Sequence, residues 1–373
     1  MKKIVFIQNL PSPYRCHFFN SLYKKYTDFE VFYMGKTEKD RNWNYDKLDK
    51  SHPFWLDRWG MYCMLGGYHI HINPVLTFKA AFNNNIDELI LAVSYCDINI
   101  VFLALLKHLR LTKAKFSFWA EANYLTLGAR KDNFFKRWVR KFVYSTADGS
   151  FVVPGKMSED TLEKWGFHNK KYIFLPNTID EKNLNYAPQT DKEQRSIPEF
   201  LMPVRLIEEV KGVLNFFEAI GVENTKKARF IVVGDGPDMA KYKEYVRNNS
   251  LEDYILLKGF CESEEMNRLY NHVNALILPS FSDPSPLSLV EALRYHLPIL
   301  CSSHCGNHYE AVNEGVNGYV FSPLDKDQVK EYFELFLSNK ERWSKMGEES
   351  GKIYNEKFSV DTIIDGFIKG MNS

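Results

Sequence analysis

Long apolar runs are missing from this sequence. The longest, 100–106, is far short of the ~20 residues that a membrane-crossing helix needs. An export leader is not legible either. MKKIVFIQNL has two lysines but only four consecutive apolar residues before Gln8, so no export is expected. Cysteine is scarce, six in 373 residues, and without export these read as thiols of a reducing, cytoplasmic compartment, with no disulfide framework. No internal repeat or low-complexity tract is evident, and after the first strand the chain reads LPSPYR (10–15) where a dinucleotide-binding protein would carry Gly-x-Gly-x-x-Gly. That absence argues against NAD.

Net charge of one sign is also missing, since the total is only +1. The halves differ, however. Residues 1–180 hold 26 Lys+Arg against 17 Asp+Glu, and the remainder 22 against 30. A basic first half suits an anionic partner, either a phosphate-bearing substrate or a membrane surface, or it is solvated surface charge. Nucleic acid is not expected as a partner.

What is present is alternation. KIVFIQ, FEVFYMG, KFSFWA, GSFVVP and YIFLPN read as strands with helical segments between them. After residue 195 the pattern restarts with EFLMPVR, ARFIVVGDG, YILLKGF, NALILPS, PILCSS and NGYVFSP. Such alternation predicts an α/β protein with two doubly wound, Rossmann-like parallel-sheet domains facing a cleft. The expected boundaries are 1–182 for an acceptor-binding domain, 183–198 for an aperiodic linker with two prolines, and 199–355 for a donor-binding domain. Residues 356–373 are expected to form a helix that returns to the first domain. In doubly wound sheets ligands bind beyond the carboxyl ends of the strands, so residues just after strands carry the candidate chemistry.

The segment DPSPLSLVE (283–291) follows one such strand. Ser285 reads as an N-cap with Pro286 at the first helical position, which presents backbone N–H groups to an anion. Asp283 lies in the loop before that cap and Glu291 about one and a half turns into the helix. Carboxylates do not bind the same anion and suit hydroxyl donors on either side of it. A phosphate flanked by hydroxylated rings describes a nucleotide sugar. Arg205 and Lys211, in VRLIEEVKG, follow the first strand of the second half and could neutralise a diphosphate. Alone, such a pair reads as a solvated loop.

RLIEEVKG, VVGDGP, LKGF, NALILPS, DPSPLSLVEALRYHLPI and EGVNGYVFSP resemble, in order and spacing, glycosyltransferase family 4, whose members are retaining enzymes with the GT-B fold. The resemblance covers roughly 170–325 and extends weakly to FVVPGKMSEDTLEKWGF (151–167) and LPNTID (175–180). It implies that Asp283 holds the donor sugar and Glu291 the ribose. Two departures stand out: Asp283 is a methylene shorter than the family's Glu, and Pro286 replaces a usual Gly, removing one backbone donor. The amides of Leu287 and Ser288 remain. Gly306 and Asn307 repeat the strand–turn–helix logic, Glu310 matches a family glutamate, and Gly234 and Gly236 let the chain turn closely at the cleft.

In the first half, Arg15 could meet an acceptor phosphate and Tyr14 could stack on a sugar, although a simple turn with a surface Arg reads nearly as well. Glu121 and Asn123, in AEANY, follow a strand. Glu121 is the candidate for orienting donor or acceptor, against a loop carboxylate paired with a nearby Lys. Cys301, His304, Cys305 and His308 have zinc-ligand chemistry but sit on different elements, and DKD (325–327) reads as a helix cap, so no metal is expected. The helix FFKRWVRKFV (134–143) separates into an apolar and a basic face. The favoured reading turns the apolar face onto the sheet and leaves the charges outside, where they could meet lipid headgroups.

The sequence therefore predicts a retaining hexosyltransferase of capsule, O-antigen or exopolysaccharide synthesis, cytoplasmic or peripheral on the inner membrane face. It would use a nucleotide diphosphate sugar, no cofactor, and a glycan or lipid-diphosphate-linked acceptor. A nucleotide-sugar epimerase or hydrolase of the same fold, or a catalytically silent donor-binding scaffold, are the alternatives.

Overall fold

The computed structural model describes residues 2–38, 44–65, 68–126, 132–187 and 197–373. Among these, nine strands precede residue 175: β1 (Ile4–Gln8), β2 (Phe29–Tyr33), β3 (Phe54–Leu56), β4 (Met61–Leu65), β5 (Tyr68–Ile72), β6 (Glu88–Leu91), β7 (Lys115–Trp119), β8 (Phe151–Val153) and β9 (Tyr172–Phe174). Seven form a wholly parallel sheet in the order β3-β2-β1-β6-β7-β8-β9. β4 and β5 pair as an antiparallel hairpin, which the strand–helix alternation did not foreshadow. The second sheet, also parallel, contains β10 (Glu199–Pro203), β11 (Arg229–Val233), β12 (Ile255–Gly259), β13 (Ala275–Leu278), β14 (Ile299–Ser302) and β15 (Gly318–Phe321) in the order β12-β11-β10-β13-β14-β15.

Alternation along β1 divides the first domain's core in two. Val5 and Ile7 face the helices Pro74–Phe82, Ile98–His108 and Phe134–Tyr144, whereas Ile4 and Phe6 face the helix Pro13–Tyr23 and the C-terminal helix Val360–Asn372. The C-terminal helix buries Val360, Ile363, Ile364, Phe367 and Met371, a helical-period stripe, in the first domain's core. Phe367 packs 6.0 Å from both Phe6 and Phe18, and Lys25 bridges Asp361 and Asp365 at 2.8 and 2.9 Å. A π-helical turn, Tyr354–Phe358, makes the crossing, and Ser359 caps the final helix through the Thr362 amide. Of the linker expected at 183–198, residues 188–196 lie outside the described residues. Its start is fastened to the second domain, where Tyr186 stacks on His296 at 4.3 Å.

The helix Phe134–Tyr144 departs from expectation. Phe134, Phe135 and Trp138 point to solvent, while Arg140 is buried. Arg140 is held inward by Asp132 at 2.9 Å and lies over the Trp165 ring at 3.9 Å. The aromatic face is wider than the sheet can cover, and a paired guanidinium tolerates burial.

Phe367→Ala should destabilise the chain by about 3–5 kcal/mol. A fall in the denaturation midpoint of the first domain checks it.

Candidate active site

Each sheet reverses its strand order once, between β1 and β6 and between β10 and β13. The loops leaving adjacent strands part there, and a crevice opens beyond the carboxyl ends. In the second domain, the loop after β10 carries Arg205 and the short helix Glu208–Lys211. The loop after β13 carries Asp283. Lys211 Nζ and Asp283 Oδ2 meet at 2.5 Å across the switch point, each side chain 17% exposed. Arg205 is exposed and makes no ion pair among the described residues.

Glycines set how closely these loops run. Gly234 has φ 136°, and a Cβ there would lie 2.0 Å from the Val204 carbonyl oxygen; at Gly236 the corresponding distance to the Leu206 oxygen is 2.3 Å. A side chain at either would push the Arg205 loop away. At Gly306 a Cβ would lie 2.0 Å from the Pro284 oxygen. Its N–H donates to the Asp283 carbonyl at 2.8 Å, so the loops after β13 and β14 are joined where Asp283 sits.

The following helix begins one residue later than the sequence suggested. It spans Leu287–Arg294, with Pro286 (φ −65°, ψ 121°) as the flanking residue and no side-chain cap. Ser285 is therefore not the N-cap. Proline disfavours helical geometry in the residue before it, which leaves Ser285 outside the helix with its hydroxyl buried and unpaired among the described residues. The Leu287 and Ser288 amides head the helix, where N–H groups have no intrahelical acceptor. One and a half turns on, Glu291 Oε2 accepts from the Tyr270 hydroxyl at 2.6 Å. Burial pushes the Glu291 carboxyl above its ordinary range, with the Tyr270 bond opposing. Tyr270 stacks on Tyr295 at 4.9 Å.

In the first domain, Arg15 and Glu121 are brought together at 2.5 Å. Arg15 is buried and lies 3.6 Å above the Trp119 ring, with Tyr14 at 5.3 Å. The sequence had suggested a separate partner for each charge, whereas here each neutralises the other. Asn123 reaches across the crevice and donates to the His304 carbonyl at 3.1 Å. Asn177, in LPNTID, likewise donates to the Ser285 carbonyl at 3.3 Å. Glu310 completes the crossing, its Oε1 accepting from the Lys156 amide at 2.7 Å at the start of the helix Lys156–Lys164. Burial pushes the Glu310 carboxyl up to about 7, against the opposing Lys156 amide.

Sequence reasoning missed Trp119, Tyr270 and Asn177 as site residues. Only Asn177 carried a signal, being a polar side chain just after a strand. Several buried polar atoms at these strand ends have no partner among the described residues: Gln8 Nε2 at the end of β1 and Ser12 Oγ after it, Thr178 Oγ1 after β9, Ser280 Oγ after β13, and both amide atoms of Asn307 after β14. Such groups cost about 1–3 kcal/mol each when unmet, so this rim suits a ligand rich in hydroxyls and phosphate oxygens. The cysteine–histidine group is otherwise engaged. His304 Nδ1 pairs with the Phe281 carbonyl and His308 Nδ1 with that of Cys305. Among the described residues, no three His, Cys, Asp or Glu side chains converge as metal ligands. Asp325 caps the helix Lys326–Ser338 through the Gln328 amide.

Residues 189–352 match the family model of glycosyl transferases group 1. The chain is 22% identical over 216 residues to O-antigen chain mannosyltransferase C of Escherichia coli, covering 57% of this chain and 56% of that protein. It is 25% identical over 180 residues to lipopolysaccharide 1,6-galactosyltransferase of Salmonella typhimurium, covering 48% and 49%. It thus spans about half the length of these curated relatives. The crystal structure of HepE from Anabaena in complex with UDP and glucose superposes with a TM-score of 0.73 over 100% of both chains at 16% identity. The fold is GT-B.

The sign of one pH effect follows from Glu310. Its folded pKa is raised from 4.5, so the folded state holds this proton more tightly than the unfolded chain. Its contribution to stability is full below about pH 4.5 and is lost as pH rises to about 7. Glu310→Gln should remove that decline, visible as a smaller difference between melting temperatures at pH 5 and pH 8.

Proposed function

We propose that this chain is a retaining glycosyltransferase that moves a hexose-type sugar from a nucleotide diphosphate sugar to a hydroxyl of a glycan or lipid-diphosphate-linked acceptor in cell-surface polysaccharide synthesis. The observation that carries this reading is the Lys211–Asp283 pair set across the β10/β13 switch point, beside Arg205 and the head of the helix Leu287–Arg294. A diphosphate placed there meets two cations and the Leu287 and Ser288 amides. Asp283 then faces the sugar hydroxyls, and Glu291 the ribose hydroxyls deeper along the helix. The group 1 match and the polysaccharide transferases among the relatives support the same reading.

In the reaction, the bond from the anomeric carbon to the β-phosphate oxygen breaks and a bond to the acceptor oxygen forms. The acceptor proton passes to the departing phosphate. Arg205, Lys211 and the helix-end amides stabilise the charge that develops on that phosphate, and positioning accounts for the rest. This reading assigns the cationic role to side chains and calls for no metal. Attack on the face from which the phosphate leaves gives retention without a side-chain nucleophile. Glu121, held by Arg15 over Trp119, orients the reacting groups from the opposite wall, and Tyr14 and Asn123 lie near the acceptor.

A thermal-shift screen with UDP-, GDP-, dTDP- and CMP-sugars identifies the donor, because a bound ligand stabilises the native state by mass action. With that donor, Arg205→Ala/Lys211→Ala should lose at least about a hundredfold in affinity, the worth of two charge-assisted contacts. Asp283→Asn should lower affinity for the sugar nucleotide toward that of the bare nucleotide diphosphate while sparing the latter. Titration calorimetry reads both, and undiminished donor affinity in the double variant overturns the assignment. An inverted anomeric product by NMR overturns retention.

A further inference from the structure

The first domain has an outward surface that sheet packing does not explain. The helices Pro74–Phe82, Ile98–His108 and Phe134–Tyr144 lie side by side on one face of the sheet, and each already buries one apolar stripe against it. Each also presents a second apolar stripe to solvent at helical spacing. Phe78 and Phe82 stand on the first helix, Phe102 and Leu105 on the second, with Leu109 just past its end, and Phe134, Phe135 and Trp138 on the third. A helix that only covers a sheet needs one apolar side. These have two.

The outer stripes form two ring clusters, with Phe102, Leu105 and Leu109 running along the second helix between them. Phe78 stacks on Phe82 at 5.7 Å and meets Phe102 edge-on at 6.0 Å. At the other end His108 lies 4.6 Å from Phe142, which stacks on Trp138 at 5.6 Å, and Trp138 in turn stacks near Phe135 at 6.3 Å. Phe134 and Phe135, 78% and 68% exposed, pack against little of the protein itself. An exposed apolar patch of this extent marks an interaction surface.

Charge selects the occupant. None of the three helices contains an Asp or Glu, and neither does the segment 109–115 that follows the second. Arg110, Lys113, Arg137 and Lys141 are exposed on or beside the patch, while the buried Arg140 has its own acid, Asp132. Lys107 on the second helix is paired with Asp148 at 2.8 Å, whereas Arg110, Lys113, Arg137 and Lys141 have no ion pair among the described residues. Aromatic rings amid such cations suit the headgroup–acyl boundary of an anionic bilayer, where the rings insert and the cations meet phosphates. A protein partner large enough to cover three helices would instead be expected to meet acidic counterparts on this chain as well as basic ones.

We propose that this three-helix face docks the protein on anionic membranes. Docking is peripheral: no described helix is long and apolar enough to cross a bilayer. The surface lies on one face of the first sheet and shares none of the residues assigned to the crevice. It therefore stands or falls independently of the transferase reading.

Vesicle flotation tests it with the full chain. Binding is expected to phosphatidylglycerol-containing vesicles and to weaken with added salt, with little binding to pure phosphatidylcholine. Phe135→Ser/Trp138→Ser and Arg137→Glu/Lys141→Glu should each reduce binding at least tenfold. Phe260→Ser, an equally exposed aromatic on the second domain, should leave it unchanged. Circular dichroism spectra and melting temperatures matching the wild type establish that the variants are folded. Failure to float with anionic vesicles, equal loss in the Phe260 variant, or a solution dimer by sedimentation that Phe135→Ser/Trp138→Ser dissociates overturns the proposal, the last by assigning the face to a second copy of the chain.

Discussion

Parallel strand pairing is the constraint on which this molecule depends. A parallel strand cannot be joined to its neighbour by a tight turn, so every connection crosses a face of the sheet, and every carboxyl end opens onto one edge. Two such sheets set with those edges together bring side chains from distant parts of the chain into one crevice. Lys211 and Asp283 are 72 residues apart in sequence and meet because β10 and β13 are neighbours at the point where strand order reverses. Arg15 and Glu121, 106 apart, meet by the same logic in the first sheet.

The two walls differ in how charge is used. On the second-domain wall, Arg205 remains exposed while Lys211 is already engaged by Asp283, so an anion entering there competes with a carboxylate for one of its two cations. On the first-domain wall, Arg15 is neutralised by Glu121 and pinned over Trp119. The domains are tied by polar bonds to backbone groups, from Asn123 to His304, from Asn177 to Ser285, and from Lys156 to Glu310. These contacts sit at the rim of the crevice, so the geometry of the site and the apposition of the domains are coupled. Glu310 makes that coupling sensitive to pH, since burial raises the carboxyl that accepts from the Lys156 amide.

The return of the C-terminal helix adds a second covalent crossing. Its apolar stripe completes the face of the first sheet that the helix Pro13–Tyr23 leaves partly open. The opposite face has no such shortage: its three helices bury one stripe and expose another. One face of the first sheet thus carries surplus apolar surface, while the other is completed by a helix from the far end of the chain.

Much of this was legible in the sequence, for physical reasons. Strands buried on both faces read as short, nearly continuous apolar runs, so the alternation and the two parallel sheets could be read directly. Residues just after strands were identified as the site-bearing ones because topology, not side-chain detail, puts them there. Order and spacing of motifs around DPSPLSLVE pointed to the same fold. What the sequence could not determine was partnership. Whether Glu121 faces Arg15 or a lysine, whether Ser285 caps a helix, and which side of the 134–144 helix looks outward all depend on distances between elements far apart in the chain. Those distances exist only after the sheets have formed, so tertiary structure alone decided them.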